Sequence, residues 1–219
     1  DQMGIRTYLR HEALQVDAAA RRVQVKNHDT GETFWDAYDT LMIGVGCDSV
    51  MPGVPGANLP SVFYVKTMED GLLFERIAHL KGVNEVVIVG GGYIGVEMAE
   101  AMLHLQKKVT LVEAADRLLT PFEPEFSEMA AQELERKGVT LKLRERVMAF
   151  EEAGDHRVVR TDRGEYRADV ALVAIGIKPA TAFLTDTGIA MARNGALVVD
   201  RQQRTSLPDV FSAGDCAVC

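Results

Sequence analysis

Residues Val86–Glu100 read VVIVGGGYIGVEMAE. Val86–Val89 is a short apolar run of the kind found in a parallel strand buried on both faces. Beyond the glycines, Ile94–Gln106 carries Ile94, Met98, Ala101, Met102 and Leu105 at helical spacing. The turn between strand and helix is Gly90-Gly91-Gly92-Tyr93-Ile94-Gly95, which fits G-x-G-x-x-G. A bare match is weak. Here a buried strand precedes it, a helix follows it, and Glu113 closes the next strand 18 residues after Gly95. Gly90 permits a tight turn, Gly92 lets the main chain approach a pyrophosphate, and Gly95 lets the helix pack close to the strand. Free N–H groups and the positive end of the helix then favour a bound phosphate. A carboxylate at Glu113 can accept from a ribose 2′-OH and repels a 2′-phosphate, which favours NAD over NADP. Arg117 lies nearby and leaves a phosphate contact open. The bland alternatives are a glycine-rich turn without a ligand and a solvated acid at 113. Glu97 is either a helix-surface acid or a polar contact in a reaction cleft. Tyr93 must point outward from the turn, as a lid on a nicotinamide or as a packing residue.

The flanking segments extend the pattern. Val109–Val112 reads as a second buried strand and Thr140–Leu143 as a third. Pro124–Lys137 reads as a helix, with Pro near its start and Gly138 just past its end. Arg157–Thr161 and Glu165–Arg167 alternate as a hairpin turning at Asp162-Arg163-Gly164, and Val170–Ile175 is another buried run. This βαβαβ layout predicts a Rossmann-like α/β domain, with a parallel sheet and a small antiparallel insert. Upstream, Ile5–Tyr8, Leu14–Val16, Arg22–Lys26 and Thr40–Val45 read as strands of an antiparallel meander, with a turn at His28–Gly31. Met51–Gly56 (MPGVPG) reads as a linker. Spacing predicts a helix over residues 67–81, with Leu72, Leu73, Ile77, Ala78 and Leu80 largely on one face. Thr67 and Asp70 are its candidate cap.

Composition bounds the function. The chain has 219 residues, 47% hydrophobic and 26% charged, enough for one large domain or two small ones. A net charge of −8 argues against a protein built to grip nucleic acid or anionic lipid. The longest charge-free apolar stretch, Val86–Val96, is 11 residues long and broken by glycines, whereas spanning a bilayer takes about 20. No signal peptide is visible, and three cysteines suggest no disulfide framework, so a reducing cytoplasm is expected. Cys216-Ala217-Val218-Cys219 is a C-x-x-C, but no second pair is present for zinc, and a redox pair would be expected to open a helix, whose dipole lowers the thiol pKa. The five histidines show no metal-ligand spacing, so no metal site is expected. Val210–Ala213 reads as a strand running into Gly214 and Asp215, whose carboxylate offers acceptors to sugar-like hydroxyls.

Four ordered motifs carry a resemblance over nearly the whole chain. They are Val86–Glu100, Val109–Arg117 (VTLVEAADR), Ala171–Pro179 (ALVAIGIKP) and Thr205–Ala217 (TSLPDVFSAGDCA). Together they resemble the FAD-dependent pyridine nucleotide–disulfide oxidoreductases, in the branch of NADH oxidase, NADH peroxidase and coenzyme A-disulfide reductase. Tyr38–Gly46 (YDTLMIGVG) resembles the stretch where that family leaves its FAD domain. The resemblance implies a partial FAD domain at residues 1–62 and 182–219, with an NAD(H)-binding domain at 63–181 between them. It implies NADH contacts at Gly90, Gly91, Gly92, Tyr93, Ile94, Gly95, Glu97, Glu113, Phe122 and Gly176. Tyr93 and Glu97 would stand on the nicotinamide side. FAD contacts would fall at Ala13, Gly46 and Asp215. Gly44-Val45-Gly46 stands where Ala-Thr-Gly is usual, and Cys47-Asp48-Ser49 where Ser-x-Pro is usual. The family's FAD fingerprint and redox cysteine would precede Asp1, and its dimerisation domain would follow Cys219. No catalytic residue is therefore expected within the chain. The implied activity of the intact enzyme, a homodimer, is hydride transfer from NADH through FAD to a disulfide, a peroxide or oxygen. Two rivals stand beside it: a non-catalytic dinucleotide-binding module, and a ferredoxin-reductase-like flavoenzyme with an iron–sulfur partner.

Overall fold

Val86–Val89 is buried at every position in the computed structural model, which describes residues 4–219. In chain order the elements begin with β1 (His11–Asp17), β2 (Arg22–Asn27), β3 (Thr33–Ala37), β4 (Leu41–Ile43) and β5 (Cys47–Ser49). Then come β6 (Val62–Tyr64), α1 (Met68–Ala78), β7 (Glu85–Val89), α2 (Tyr93–His104), β8 (Lys108–Glu113), α3 (Pro124–Arg136) and β9 (Thr140–Leu143). The chain continues through β10 (Val147–Ala153), β11 (His156–Thr161), β12 (Glu165–Ala168), β13 (Val170–Val173) and β14 (Ile177–Pro179). It ends with β15 (Leu197–Val198), β16 (Val210–Ser212) and β17 (Ala217–Val218). Residues 49–177 form one compact unit, and residues 4–48 with 178–219 form another.

The unit of residues 49–177 is built on a parallel sheet of order β6-β13-β7-β8-β9. Side chains alternate across it with period two. Val86, Ile88, Val109, Leu111, Val170 and Leu172 face one way, against Phe74 and Ala78 of α1, Ala99 and Met102 of α2, and Leu134 of α3. Val87, Val89, Val112, Ala171 and Val173 face the other way, against Val147, Phe150, Val159 and Ala168 of the antiparallel sheet β10-β11-β12. Helices thus cover one face and a small sheet covers the other, which is why β7 and β13 are apolar at consecutive positions. This is the Rossmann-like α/β sheet with an antiparallel insert that the sequence predicts.

Several details differ from the sequence reading. The insert has three strands, because Val147–Ala153 pairs with β11 beside the expected hairpin. Val62–Tyr64 adds a parallel edge strand. On α1 the buried residues are Phe74 and Ala78, while Leu72 and Leu73 are exposed. The Phe74 ring stands edge-on to Phe63 at 5.4 Å and turns the helix away from its leucines. The unit boundaries fall at 48/49 and 177/178 rather than 62/63 and 181/182. Residues 51–59 account for the first shift: Val54, Ala57 and Leu59 pack on the insert side of the sheet, and the Pro55 carbonyl accepts from the Phe150 N–H. This segment is a packed edge rather than a linker.

Thr67 caps α1 as expected. Its hydroxyl accepts from the Asp70 N–H at 3.1 Å, and the Asp70 carboxylate accepts from the Thr67 N–H at 2.8 Å. These bonds, the backbone one first, hold the Asp70 carboxyl below its ordinary 3.8. Thr67→Ala should cost about 1 kcal/mol and lower the melting temperature by about 2–4 °C in a differential scanning measurement. Asp70 has a depressed folded-state value, so its share is present above 3.8 and is lost as pH falls through that lower value.

In the other unit β1-β2-β3 is an antiparallel meander. Thr33–Ala37 completes it, and Ile5–Tyr8 is not a strand, since Ile5 and Tyr8 are exposed and no ladder includes them. The expected strand Thr40–Val45 is β4, which pairs in parallel with β16 outside the meander. Val16, Ile43, Leu184, Ile189, Leu197, Val210 and Cys216 form this unit's core. Among the described residues no helix is long and apolar enough to cross a membrane.

Candidate functional site

The glycine turn follows β7 at the C-terminal edge of the parallel sheet, where open α/β sheets place their ligands. Gly90 has φ +108°, and a Cβ there would stand 2.3 Å from the Ala174 carbonyl oxygen. A Cβ at Gly95 would stand 1.9 Å from the Gly90 oxygen, so only glycine lets α2 start this close to the turn. Gly92 is different. It is the N-cap of α2, its φ is −77°, and a Cβ would meet nothing within 4 Å. Its open face, together with the first N–H groups of α2, borders a cleft of about 890 Å³. Val89, Gly90, Ile94, Val112, Glu113 and Gly176 also line this cleft.

Glu113 closes β8 beside the turn. Its Oε2 accepts from the Gly91 N–H at 2.5 Å and its Oε1 from the Ala115 N–H at 2.6 Å. Those two bonds fix the carboxylate at the cleft wall and leave lone pairs on both oxygens for a diol. Tyr93 is exposed, lines the cleft, and meets the Phe122 ring edge-on at 5.6 Å. The turn, Glu113, Tyr93, Phe122 and Gly176 are therefore parts of one neighbourhood. Glu97 is exposed on α2 and is not among the cleft-lining residues. Arg117 donates to the Thr120 carbonyl at 3.3 Å, and its Nε is buried without a partner.

In the other unit Asp215 is exposed after β16, and its Oδ2 accepts from the Cys47 thiol at 3.3 Å. Gly46 takes φ +67°, and its carbonyl accepts from the Ala180 N–H. Ala13 is exposed on β1, at a register shift in the meander. Cys216 is fully buried and Cys219 exposed, both as free thiols.

Sequence reasoning missed Glu145 and Arg146. Both line the cleft just past β9, although Arg144-Glu145-Arg146 reads as an ordinary solvated charge cluster. The usable signal was position, since they follow a parallel strand at its C-terminal end.

The sheet, the glycine turn and the strand-end acid together define a Rossmann-type α/β protein. The chain belongs to the pyridine nucleotide-disulphide oxidoreductase family, whose model matches residues 2–218. It is 34% identical over 219 residues to an NADH oxidase of Enterococcus faecalis, covering 99% of this chain and 48% of that protein. It is also 34% identical over 215 residues to a CoA-dependent NAD(P)H sulfur oxidoreductase of Pyrococcus abyssi, covering 98% and 47%. The structure of a water-forming NADH oxidase from Lactobacillus brevis bound to NADH superposes with a TM-score of 0.88 at 31% identity, covering 94% of this chain and 46% of that one. The chain spans about half the length of the curated relatives it matches.

Proposed function

We propose that this chain supplies the NADH-binding site of an FAD-dependent oxidoreductase that passes electrons to a disulfide, a peroxide or oxygen. The observation that carries the reading is the Glu113 carboxylate, held 2.5 Å from the Gly91 N–H at the mouth of a turn whose Gly92 face is open. The residues fit the dinucleotide. The open Gly92 face and the α2 N-terminus would take the pyrophosphate, and the remaining lone pairs of Glu113 would take the adenosine ribose diol. Phe122 and Tyr93 would border the site as rings, and Gly176 would leave room for the main chain to approach a ligand. Asp215, with an exposed carboxylate steadied by Cys47, would accept from hydroxyls of FAD. When bound, NADH supplies a hydride and FAD accepts it; the protein binds, orients and excludes water. The relatives named NADH oxidase and NAD(P)H sulfur oxidoreductase support this class of activity.

The test is a fluorescence titration of the purified chain with NADH and with NADPH. Saturable binding of NADH, tighter than that of NADPH, is the expected result. Absence of NADH binding would overturn the reading.

A further inference from the structure

Glu145 is a second cleft acid, and the strand order gives it a place. Counting across the sheet, the glycine turn follows β7, Glu113 ends β8, and Glu145 lies two residues past Leu143, the β9 residue paired with Glu113. The Glu145 N–H donates to the Glu113 carbonyl at 3.0 Å, which ties the two strand ends together. Neighbouring strands lie about 4.8 Å apart. On the proposed NADH reading, on which this inference rests, pyrophosphate sits at β7 and ribose at β8. The next part of the ligand in that direction, at β9, is the adenine base.

The chemistry of Glu145 suits a donor from that base. The residue is 8% exposed and lines the cleft. Its Oε2 accepts from the Tyr166 hydroxyl at 2.6 Å and the Thr161 hydroxyl at 3.1 Å. Burial, and then the bond to Glu145, push Tyr166 up to about 12, so the tyrosine remains a donor. Oε1 takes no donor from the described residues. Oε1 is not sealed from solvent, so it stands open to accept a donor from a ligand in the cleft. Phosphates offer only acceptors here, and the ribose diol is taken by Glu113. The base end offers one strong donor, the exocyclic amine of adenine.

We propose that Glu145 reads the adenine amino group through Oε1 and thereby selects adenine over hypoxanthine in the bound dinucleotide. Hypoxanthine presents an oxygen where adenine presents the amine, and that oxygen would face a carboxylate. The experiment titrates the chain with NADH and with reduced nicotinamide hypoxanthine dinucleotide, following nicotinamide fluorescence. The wild-type chain should prefer NADH by at least about tenfold, the scale of a hydrogen bond to a charged acceptor. In Glu145→Gln the amide can turn its oxygen to adenine or its NH2 to hypoxanthine, so the preference should collapse. A merely structural Glu145 would weaken both ligands alike and leave the ratio unchanged. Equal binding of the two ligands by the wild type, or an unchanged ratio in Glu145→Gln, overturns the proposal. If Glu145→Gln does not fold, Glu145→Asp keeps the charge but withdraws it by one methylene and must lose the preference; a preserved one overturns the proposal. Failure of the wild type to bind NADH is a separate result, which overturns the NADH site itself and the inference with it.

Discussion

Gly92→Val leaves the protein folded and closes it to NADH. The backbone at Gly92 is extended, with φ −77° and ψ −170°, so a side chain meets no conformational barrier. A Cβ there would enter open space, with no protein atom within 4 Å of it. The cost is that of a poor N-cap residue, about 1 kcal/mol or less, or a fall in melting temperature of about 2–4 °C. The space that the isopropyl group fills is the space assigned to the pyrophosphate, and it also screens the first N–H groups of α2. The Kd for NADH should therefore rise at least about tenfold, because the diphosphate can no longer reach the main chain. Gly95→Val is the opposite case. Its Cβ would stand 1.9 Å from the Gly90 oxygen, so helix and turn must separate. It should cost about 1–3 kcal/mol or more as an overpacked contact. A Gly92→Val protein that still binds NADH normally would remove the pyrophosphate from this turn, whatever Gly95→Val does.

What could be read in advance follows from how much each segment says alone. Val86–Val89 is apolar at four consecutive positions because both faces of β7 are covered, and few other elements produce that run. Spacing predicts that Glu113 lies beside the turn, and its bonds to the Gly91 and Ala115 N–H groups are the physical form that this placement takes. Val147–Ala153 was missed because VMAFEEA mixes core and solvent residues; pairing with β11 makes it a strand, and packing on the parallel sheet buries Val147 and Phe150. Val62–Tyr64 is too short to announce itself and is a strand by virtue of β13 beside it. On α1 the leucines set the expected periodicity, but the aromatic contact between Phe63 and Phe74 set the buried face. Glu145 was illegible for a related reason. Its neighbours in sequence are arginines, and its burial comes from Thr161 and Tyr166 on the distant hairpin.

Glu113→Ala should erase the preference for NADH over NADPH. In the wild-type chain the carboxylate is held by two main-chain donors, so it cannot swing away from an incoming 2′-phosphate. The phosphate meets a fixed like charge, whereas a 2′-hydroxyl meets an acceptor. Removing the carboxylate takes away the attraction for one ligand and the repulsion of the other. The Kd for NADH should rise about 10- to 100-fold, the scale of one hydrogen bond to a charged group, while that for NADPH should change little or improve. Part of the loss is structural, because the Gly91 and Ala115 N–H groups lose their acceptor, and the melting temperature should fall as well. Glu113→Gln separates the two effects. It removes the charge and keeps one oxygen for a main-chain donor, so it should retain more stability than Glu113→Ala and still lose most of the discrimination. Paired titrations of the three proteins with NADH and NADPH give the decisive ratio. If both variants discriminate as the wild type does, Glu113 is a turn-stabilising acid only, and the recognition of the ribose lies elsewhere in the cleft.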